Sequence, residues 1–304
     1  MRKISTANLT KDEWLALRRQ GIGGSEAAAV CGVNPYKSAM AVYLDKIGEA
    51  PAEEAASEKA YWGTVLEDTV ARHYAQANDA KVRRVNFLLI DPERPYMIAN
   101  LDREASAGGT RYGYEGKTTD GRNAAAWEDD AVPVQYIYQV QHYMSVTDFP
   151  FFDVACLIGG NRYVQRRVYR DPDLIEQIRI KEADFWLGVE TRTPPAWDGS
   201  ENAWEVLRRL HPTAEPGKEI ELPQEMADAL HSYNLWETSR KYHADNMKEA
   251  ERQRDVYKQA LCAAMGDAEI AHLSGYTLSF KNSTRKGYTI AEKTVRTFSI
   301  KEDK

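Results

Sequence analysis

Cysteine is scarce in this sequence, and the few that occur lie far apart. The 304 residues include three cysteines, Cys31, Cys156 and Cys262, and no two of them form a CxxC pair. Zinc ribbons, iron–sulfur clusters and disulfide frameworks need closely spaced cysteines, so the sequence argues against each of these. Scattered cysteines fit a reducing compartment, and we expect a cytoplasmic protein.

Long apolar runs are also missing. The longest of them fall far short of the roughly 20 residues that a membrane-spanning helix needs. Residues 1–14 contain no apolar segment of the kind found in secretory signals. With 43% hydrophobic and 28% charged residues, the composition is that of an ordinary soluble protein with a sizeable core, and no membrane partner is expected.

The sequence has no overall excess of basic residues. Its net charge is −6, so the simplest signature of nucleic-acid binding is absent. Basic residues are nevertheless concentrated in two stretches, 162–170 and 276–304, and the second holds seven Lys and Arg against three acids. Such local patches can bind phosphates, although the net charge opposes long-range attraction of a polyanion.

Histidine offers no catalytic or metal-binding pattern. Neither His73 nor His142 has a partner at the spacing of metal ligands, so both are interpreted as structural. A histidine-bound metal centre and a Ser-His-Asp enzyme therefore lack support in the sequence.

The pattern of apolar residues, glycines and prolines predicts three regions. We expect a first domain at 1–210, a linker rich in proline at 211–224 and a C-terminal extension at 225–304. The extension contains a proline-free stretch, 225–266, which predicts one long helix or a helical hairpin. The basic end of the chain predicts a small β-hairpin appendage, with strands at 268–273, 276–281 and 295–300.

The first domain alternates helices and strands in an order that predicts an α/β sandwich. Its helices are predicted at 11–20, 26–30, 38–47, 57–78, 134–147 and 172–190. Its strands are predicted at 82–90, 96–104, 111–119, 151–158 and 162–169. Three consecutive strands followed by a helix and two more strands favour a mixed sheet over a doubly wound parallel one.

Asp102, Glu115 and Lys117 are the most informative residues for function. Gly108 and Gly109 predict a hairpin turn between the strands that carry them. Residues two apart on a strand face the same way, so Glu115 and Lys117 share a side that Asp102 can also face. Carboxylates suit Mg²⁺ or Mn²⁺, and an adjacent ammonium can position a water and offset phosphate charge. The alternative is a solvated hairpin with a cross-strand ion pair.

Three further segments carry polar groups that fit the same chemistry. Glu67 borders the apolar stripe of the helix at 57–78, where it is either a rim carboxylate or a third acid for the site. Residues 21–26 offer bare backbone and Ser25, which is predicted to cap a helix. The segment is either an ordinary turn with a serine cap or, with Arg18, an anion site. The helix at 134–147 places Tyr136, Gln139 and Tyr143 near one face, either as polar edges of a partly buried helix or as groups that hold a water or a phosphate.

These motifs occur in an order that resembles a known family. The elements are Arg18 with 21–25, Gly63 with Leu66-Glu67, Asp102, Glu115-x-Lys117, and the segment 139–144. Together they resemble the YqaJ-type viral recombinases, the phage lambda exonuclease group of the PD-(D/E)XK nucleases. The resemblance covers roughly residues 10–195 and implies a restriction-endonuclease-like core with a central mixed sheet. One departure is Leu101, which stands where the family name expects proline; proline is not a ligand, so the chemistry is unaffected.

The resemblance implies an activity and a role for each residue. It implies a metal-dependent 5′→3′ exonuclease that digests one strand of linear double-stranded DNA and leaves a 3′ single strand for recombination by annealing. The implied metal ligands, for two Mg²⁺ or Mn²⁺ ions per site, are Asp102, Glu115, the Gly116 carbonyl and Glu67. Lys117 would activate water, and Gln139, or alternatively Gln141, would orient the site. The implied groups that contact the 5′-phosphate and DNA are Arg18, Gly24, Ser25 and Tyr136.

The resemblance also implies partners. It implies DNA ends, a single-strand annealing protein, and assembly into a trimeric or tetrameric ring in the cytoplasm of a bacterium that carries the phage or prophage. Two other functions stay open from the residues. One is an endonuclease of the same fold with a different DNA specificity. The other is a non-catalytic module that binds DNA ends or the annealing protein, for which Glu115→Ala would leave function intact.

Overall fold

Two compact units, residues 1–215 and 216–304, make up the chain. The structure is a computed structural model that describes residues 2–51, 58–213, 215, 217–285 and 293–302. The division between the units falls inside the segment predicted as a linker. No helix among the described residues has the combination of length and apolar character needed to cross a bilayer.

The first unit contains seven helices and nine strands among its described residues. Its helices are α1 (Lys11–Arg18), α2 (Gly24–Val30), α3 (Ala39–Lys46), α4 (Glu58–Ala77), α5 (Val134–Thr147), α6 (Pro172–Thr191) and α7 (Glu201–Leu210), with a 3-10 helix at Gly121–Trp127. Its strands are β1 (Arg2–Ser5), β2 (Ile22–Gly23), β3 (Lys81–Arg84), β4 (Phe87–Ile90), β5 (Met97–Ala99), β6 (Arg103–Ala107), β7 (Thr110–Thr119), β8 (Phe151–Ile158) and β9 (Arg162–Tyr169).

The central sheet is five-stranded and mixed, in the order β3-β6-β7-β8-β9. The β7–β8 pair is parallel, and the other three pairs are antiparallel. Helix α5 lies in the connection between the two parallel strands, as such a crossover requires. The predicted α/β core, with a mixed sheet flanked by helices, is confirmed.

Alternation along β7 sends successive side chains to opposite faces of this sheet. Tyr112 and Tyr114 pack on one face with Tyr74 of α4. On the other face, Phe152 and Val154 of β8 pack against residues of α5. Glu115 and Lys117 are out of phase with the tyrosines, so the strand directs them to the α5 face.

The structure corrects two of the predicted strands. The predicted strand 82–90 is divided into β3 and β4, and 96–104 into β5 and β6. In each case the first half and the second half belong to different sheets, because β4 and β5 join a second sheet of order β1-β4-β5-β2. Strands β1 and β2 and helix α7 were not predicted. Segment 100–102, which carries Asp102, is therefore the crossing between the two sheets.

The second unit is described by itself. Residues Ala227–Met265 form one helix of 39 residues, α8, after a 3-10 turn at Gln224–Met226, so the long-helix alternative is correct. At 1.5 Å per residue, α8 is about 58 Å long. Strands β10 (Ile270–Leu273), β11 (Tyr276–Arg285) and β12 (Lys293–Glu302) form an antiparallel sheet. Most of the predicted basic stretch lies on β11 and β12, while Lys286 and Lys304 are outside the described residues.

Candidate active site

The predicted hairpin forms and brings Asp102, Glu115 and Lys117 together. Gly108 and Gly109 have φ values of 55° and 81°, the left-handed conformation that a tight turn between β6 and β7 requires. Lys117 Nζ donates to Glu115 Oε1 at 2.7 Å. Asp102, the residue before β6, lies close enough to Glu115 and to the Gly116 N–H for both to affect its pKa.

The carboxylates of Asp102 and Glu115 are forced close together in a buried setting. Burial raises the pKa of Asp102 to about 7, and the neighbouring charge of Glu115 adds to the effect. Glu115 is 1% exposed, and its Oε2 has no hydrogen-bond partner among the described residues. A repelling carboxylate pair with a buried, unsatisfied oxygen is a donor set that fits a hard divalent cation.

Lys117 remains a cation in this position. Burial works to lower the pKa of Lys117, but the carboxylates of Glu115 and Asp102 outweigh burial and raise the pKa above its usual value. Two of the three ammonium donors are used, by Glu115 and by Gln139 Oε1 at 3.0 Å. The ammonium also lies 4.8 Å from the ring centroid of Tyr136. Lys117 can therefore stabilise anionic charge and donate a hydrogen bond to a water. As an ammonium, it cannot accept a proton from that water.

Gln139 of α5 connects these groups. Its Nε2 donates to Glu115 Oε1 at 2.6 Å and to the Tyr143 hydroxyl at 3.2 Å. The Tyr143 hydroxyl in turn donates to the Asn100 carbonyl at 3.1 Å. Gln141 does not reach the site, because it donates to the Tyr169 carbonyl and accepts from Asp171 N–H. The geometry thus places Gln139, and not Gln141, beside the carboxylates.

A cationic group borders the same cavity. Arg18 Nη2 lies 3.2 Å from the Ser25 hydroxyl and 3.7 Å from Glu26. Lys46 is 2.7 Å from Glu26, and Lys37 is 3.9 Å from it, so three cations surround one carboxylate. Burial works to raise the pKa of Glu26, yet the three cations lower it, so Glu26 is ionised. The balance of charge leaves this corner positive, which suits a phosphate.

One cavity of about 280 Å³ unites both groups. The predicted site residues that line it are Arg18, Gly24, Ser25, Asp102, Glu115, Lys117 and Gln139. Residues more than 120 positions apart in the sequence therefore share one pocket. We refer to it below as the acidic pocket.

A model of the YqaJ-like viral recombinase domain matches residues 13–150 of the sequence. The YqaJ protein of Bacillus subtilis (strain 168) is 36% identical over 281 residues, which cover 90% of this chain and 84% of that protein. The chain belongs to the YqaJ-like viral recombinase family. The family predicted from the motifs is thereby confirmed.

Two solved structures show a lower similarity to this YqaJ-like chain. The alkaline exonuclease LHK-Exo from Laribacter hongkongensis is 18% identical, with a TM-score of 0.48 over 60% of this chain and 94% of that one. A phage related exonuclease from Haemophilus somnus 129PT is 11% identical, with a TM-score of 0.42 over 59% of this chain and 97% of that one.

Three predicted site residues of this YqaJ-like protein, Glu67, Gly116 and Tyr136, do not line the acidic pocket. Glu67 forms an ion pair with Arg103 at 3.2 Å, and the same arginine binds Asp68 at 2.8 Å. Within the described ranges, no three His, Cys, Asp or Glu side chains are grouped closely enough to hold a metal. A third ligand at Glu67 and a second metal ion therefore stay predictions. Tyr136 lies beyond Lys117, away from Arg18.

Ser25 does not cap helix α2, contrary to the prediction. The N-cap is Gly23, whose N–H donates to Glu26 Oε2 at 2.9 Å, because Glu26 reaches back over the first turn. Ser25 lies one residue inside the helix, and its hydroxyl is left for Arg18. The sequence interpretation missed Glu26 and Lys46 as supports of the site. The only signal for Glu26 was its position three residues after Gly23.

Gly24 allows α2 to lie directly on α5, and its replacement provides a test of this packing. A Cβ at Gly24 would lie 2.4 Å from Tyr143 Cε1. We expect Gly24→Ala to lower the free energy of unfolding by about 1–3 kcal/mol through overpacking. The control is Gly63→Ala on helix α4, where a Cβ meets nothing closer than 3.5 Å. In urea unfolding, the free energy of unfolding of this control should rise by about 0.5–1 kcal/mol. A Gly24→Ala protein with the wild-type free energy of unfolding would refute the close contact.

Proposed function

We propose that this protein is a divalent-metal-dependent exonuclease that digests one strand of linear double-stranded DNA in the 5′→3′ direction. The observation that supports it is the acidic pocket, where the bonded set of Glu115, Lys117 and Gln139 adjoins Asp102 at one end and Arg18 with Ser25 at the other. Hydrolysis and end recognition need these two groups within reach of one strand.

Each residue of the pocket has a distinct part in this proposal. Asp102 and Glu115 would hold Mg²⁺ or Mn²⁺. When bound, the cation supplies a Lewis acid for the phosphate oxygens and eases deprotonation of the attacking water. Lys117 donates a hydrogen bond to that water and stabilises the charge that develops on the phosphate. Gln139 holds Glu115 and Lys117 in place, since it is hydrogen-bonded to both.

The proposal extends to the product and its partners. Removal of nucleotides from 5′ ends leaves 3′ single strands, which are the substrate of an annealing protein. We propose assembly into a trimeric or tetrameric ring that encloses the DNA, as the family resemblance implies. Sedimentation velocity of the full chain measures the oligomer directly, and a monomer at all concentrations would refute the ring.

The activity is tested by digestion of three DNA forms with Mg²⁺. We expect 5′-phosphorylated linear duplex to be degraded to acid-soluble nucleotides, and a covalently closed circle to stay intact. Labels at the 5′ and the 3′ end of one strand give the direction, because a 5′→3′ enzyme releases the 5′ label first. Cutting of the closed circle would favour an endonuclease of the same fold. Binding of ends without hydrolysis would favour the non-catalytic module.

Arg18 should determine the preference for a 5′-phosphate. We expect wild type to digest a 5′-phosphorylated end about tenfold faster than a 5′-hydroxyl end. Arg18→Ala should bring the two rates within about twofold, since a hydrogen bond to a charged group contributes about 1.5–3 kcal/mol. The matched control is Arg19→Ala. Arg19 pairs with Asp45 at 3.2 Å and is outside the pocket, so this variant should keep the preference. A preference retained in Arg18→Ala would refute the assigned role.

A further inference from the structure

A second cavity opens on the far side of Lys117, and three aromatic side chains contribute to its lining. Its volume is about 540 Å³, and its lining includes Tyr36, Trp62, Thr118, Thr119 and Tyr136. We name this cavity the aromatic cleft. Trp62 is 50% exposed and Tyr36 is 65% exposed, so large rings face solvent beside a polar site.

Two elements of the fold run from the acidic pocket to the aromatic cleft. On β7, residues 115, 117 and 119 lie on one face, so the Glu115 carboxylate, the Lys117 ammonium and Thr119 follow one another along the strand. On α5, Tyr143, Gln139 and Tyr136 follow one face over about 10 Å. At one end of this face, the Tyr143 ring packs against Gly24. At the other end, the Tyr136 ring lies beneath the Lys117 ammonium.

The order along this line is therefore fixed by the fold. The sequence of groups is the Arg18–Ser25 corner, the Asp102–Glu115 pair, Lys117, Tyr136 and the cleft. If a 5′-phosphate binds at Arg18 and the strand is cut at the carboxylates, the strand continues past Lys117. The next nucleotides on the 3′ side of the cut then reach the aromatic cleft.

The charge of the cleft suits bases and not phosphates. Its charged lining residues are Lys59 against Glu58 and Asp120. A groove that held the sugar–phosphate backbone would need an excess of cations. Exposed rings instead offer stacking surfaces to bases that are no longer paired, and stacking is indifferent to sequence.

We propose that the aromatic cleft stacks the unpaired bases of the digested strand just 3′ of the cut bond, with Trp62 and Tyr36 as the stacking rings. The proposal rests on the function proposed above. It assigns to the cleft the separation of the duplex end, because a base held by Trp62 is unavailable to its partner strand.

The test compares two oligonucleotides that differ only in their bases. One is a 5′-phosphorylated hexathymidylate with a 3′ fluorophore, and the other is the same chain with abasic residues at its second to fourth positions. Binding is measured by fluorescence anisotropy in EDTA, so that hydrolysis plays no part. We expect wild type to bind the base-bearing chain at least tenfold more tightly. Trp62→Ala/Tyr36→Ala should reduce this ratio to within twofold and leave the affinity for the abasic chain unchanged.

A matched control and a conservative variant make the result decisive. Trp204→Ala/Tyr169→Ala removes one tryptophan and one tyrosine of similar exposure, 54% and 66%, outside the cleft, and should retain the preference. Trp62→Phe/Tyr36→Phe keeps two rings and should also retain it. Equal binding of both oligonucleotides by wild type, or a preference that survives loss of both rings, would overturn the proposal. A wild-type protein that prefers the base-bearing oligonucleotide but never digests DNA would refute the proposed exonuclease activity. The proposed role of the aromatic cleft would still hold.

Discussion

Replacing Lys117 by alanine is expected to reduce hydrolysis of 5′-phosphorylated linear duplex by about a thousandfold. Removal of one preorganised donor to a developing anion costs about 10² to 10³ in rate, and loss of water positioning adds to this. Affinity for the DNA end should change little, because Arg18 and Ser25 are untouched. Single-turnover hydrolysis in Mg²⁺, with binding measured separately in EDTA, distinguishes the two effects.

Two variants frame the Lys117 result. Lys81→Ala removes an exposed lysine from β3 of the same sheet and should leave the rate at the wild-type value. Lys117→Arg keeps the charge, but its planar guanidinium cannot reproduce a 2.7 Å bond to Glu115 together with a 3.0 Å bond to Gln139, so it should recover little activity. Equal rates for wild type and Lys117→Ala would disprove the proposed mechanism.

The change Glu182→Gln is expected to cause the largest loss of stability, about 3–5 kcal/mol in the free energy of unfolding. Glu182 Oε1 of α6 lies 2.8 Å from His142 Nδ1, within hydrogen-bond distance, and both side chains are 0% exposed. His142 Nε2 faces the Ile98 carbonyl at 2.9 Å. Both ring nitrogens thus face oxygen atoms, and the raised pKa of His142 favours an imidazolium that donates to both of them. Breaking a buried ion pair from one side leaves a charge without its partner.

The pH dependence of stability should reveal the same pair. Burial works to lower the pKa of His142, but the charge of Glu182 and the two hydrogen bonds raise it above the ordinary value of 6.5. A raised pKa in the folded state stabilises the fold below pH 6.5 and loses this contribution as the pH rises through the folded value. The difference in the free energy of unfolding between wild type and Glu182→Gln, measured with urea, should therefore become smaller at alkaline pH.

Glu176→Gln serves as the matched control for this experiment. Glu176 is on the same helix, its side chain is 61% exposed, and its pairing with Arg179 is at 3.6 Å. Surface pairs contribute about 0–1 kcal/mol, so the control should unfold within that range of wild type. A Glu182→Gln protein as stable as Glu176→Gln would show that the buried pair is not an ion pair.

The arrangement of Asp102, Glu115 and Lys117 could be predicted from the sequence because it depends on local rules. Alternation fixes the common face of Glu115 and Lys117, and two glycines fix the turn that brings β6 beside β7. The order of motifs then identified the family. The position of Gln139 followed from helical spacing, although its choice over Gln141 required the contacts that each glutamine makes.

The remaining features depend on contacts between distant segments, which local patterns do not encode. Segments 82–90 and 96–104 look like continuous strands because neither contains a glycine or proline, and only strand pairing shows that the two halves of each join different sheets. Glu67 forms an ion pair with Arg103, 36 positions away in the sequence, and the buried Lys46 forms one with Glu26. Neither pairing leaves a periodic signal in the sequence.

The crossing between the two sheets has a consequence for engineering. Strand β5 pairs with β2, which leads directly into the Gly24–Ser25 corner, and it continues through segment 100–102 to Asp102. The groups proposed for end recognition and for cutting therefore both depend on the position of one three-residue strand, β5. These parts cannot be exchanged between relatives as separate cassettes. A designer who wants a new end preference should alter the Arg18 side chain and leave the backbone of β2 and β5 untouched.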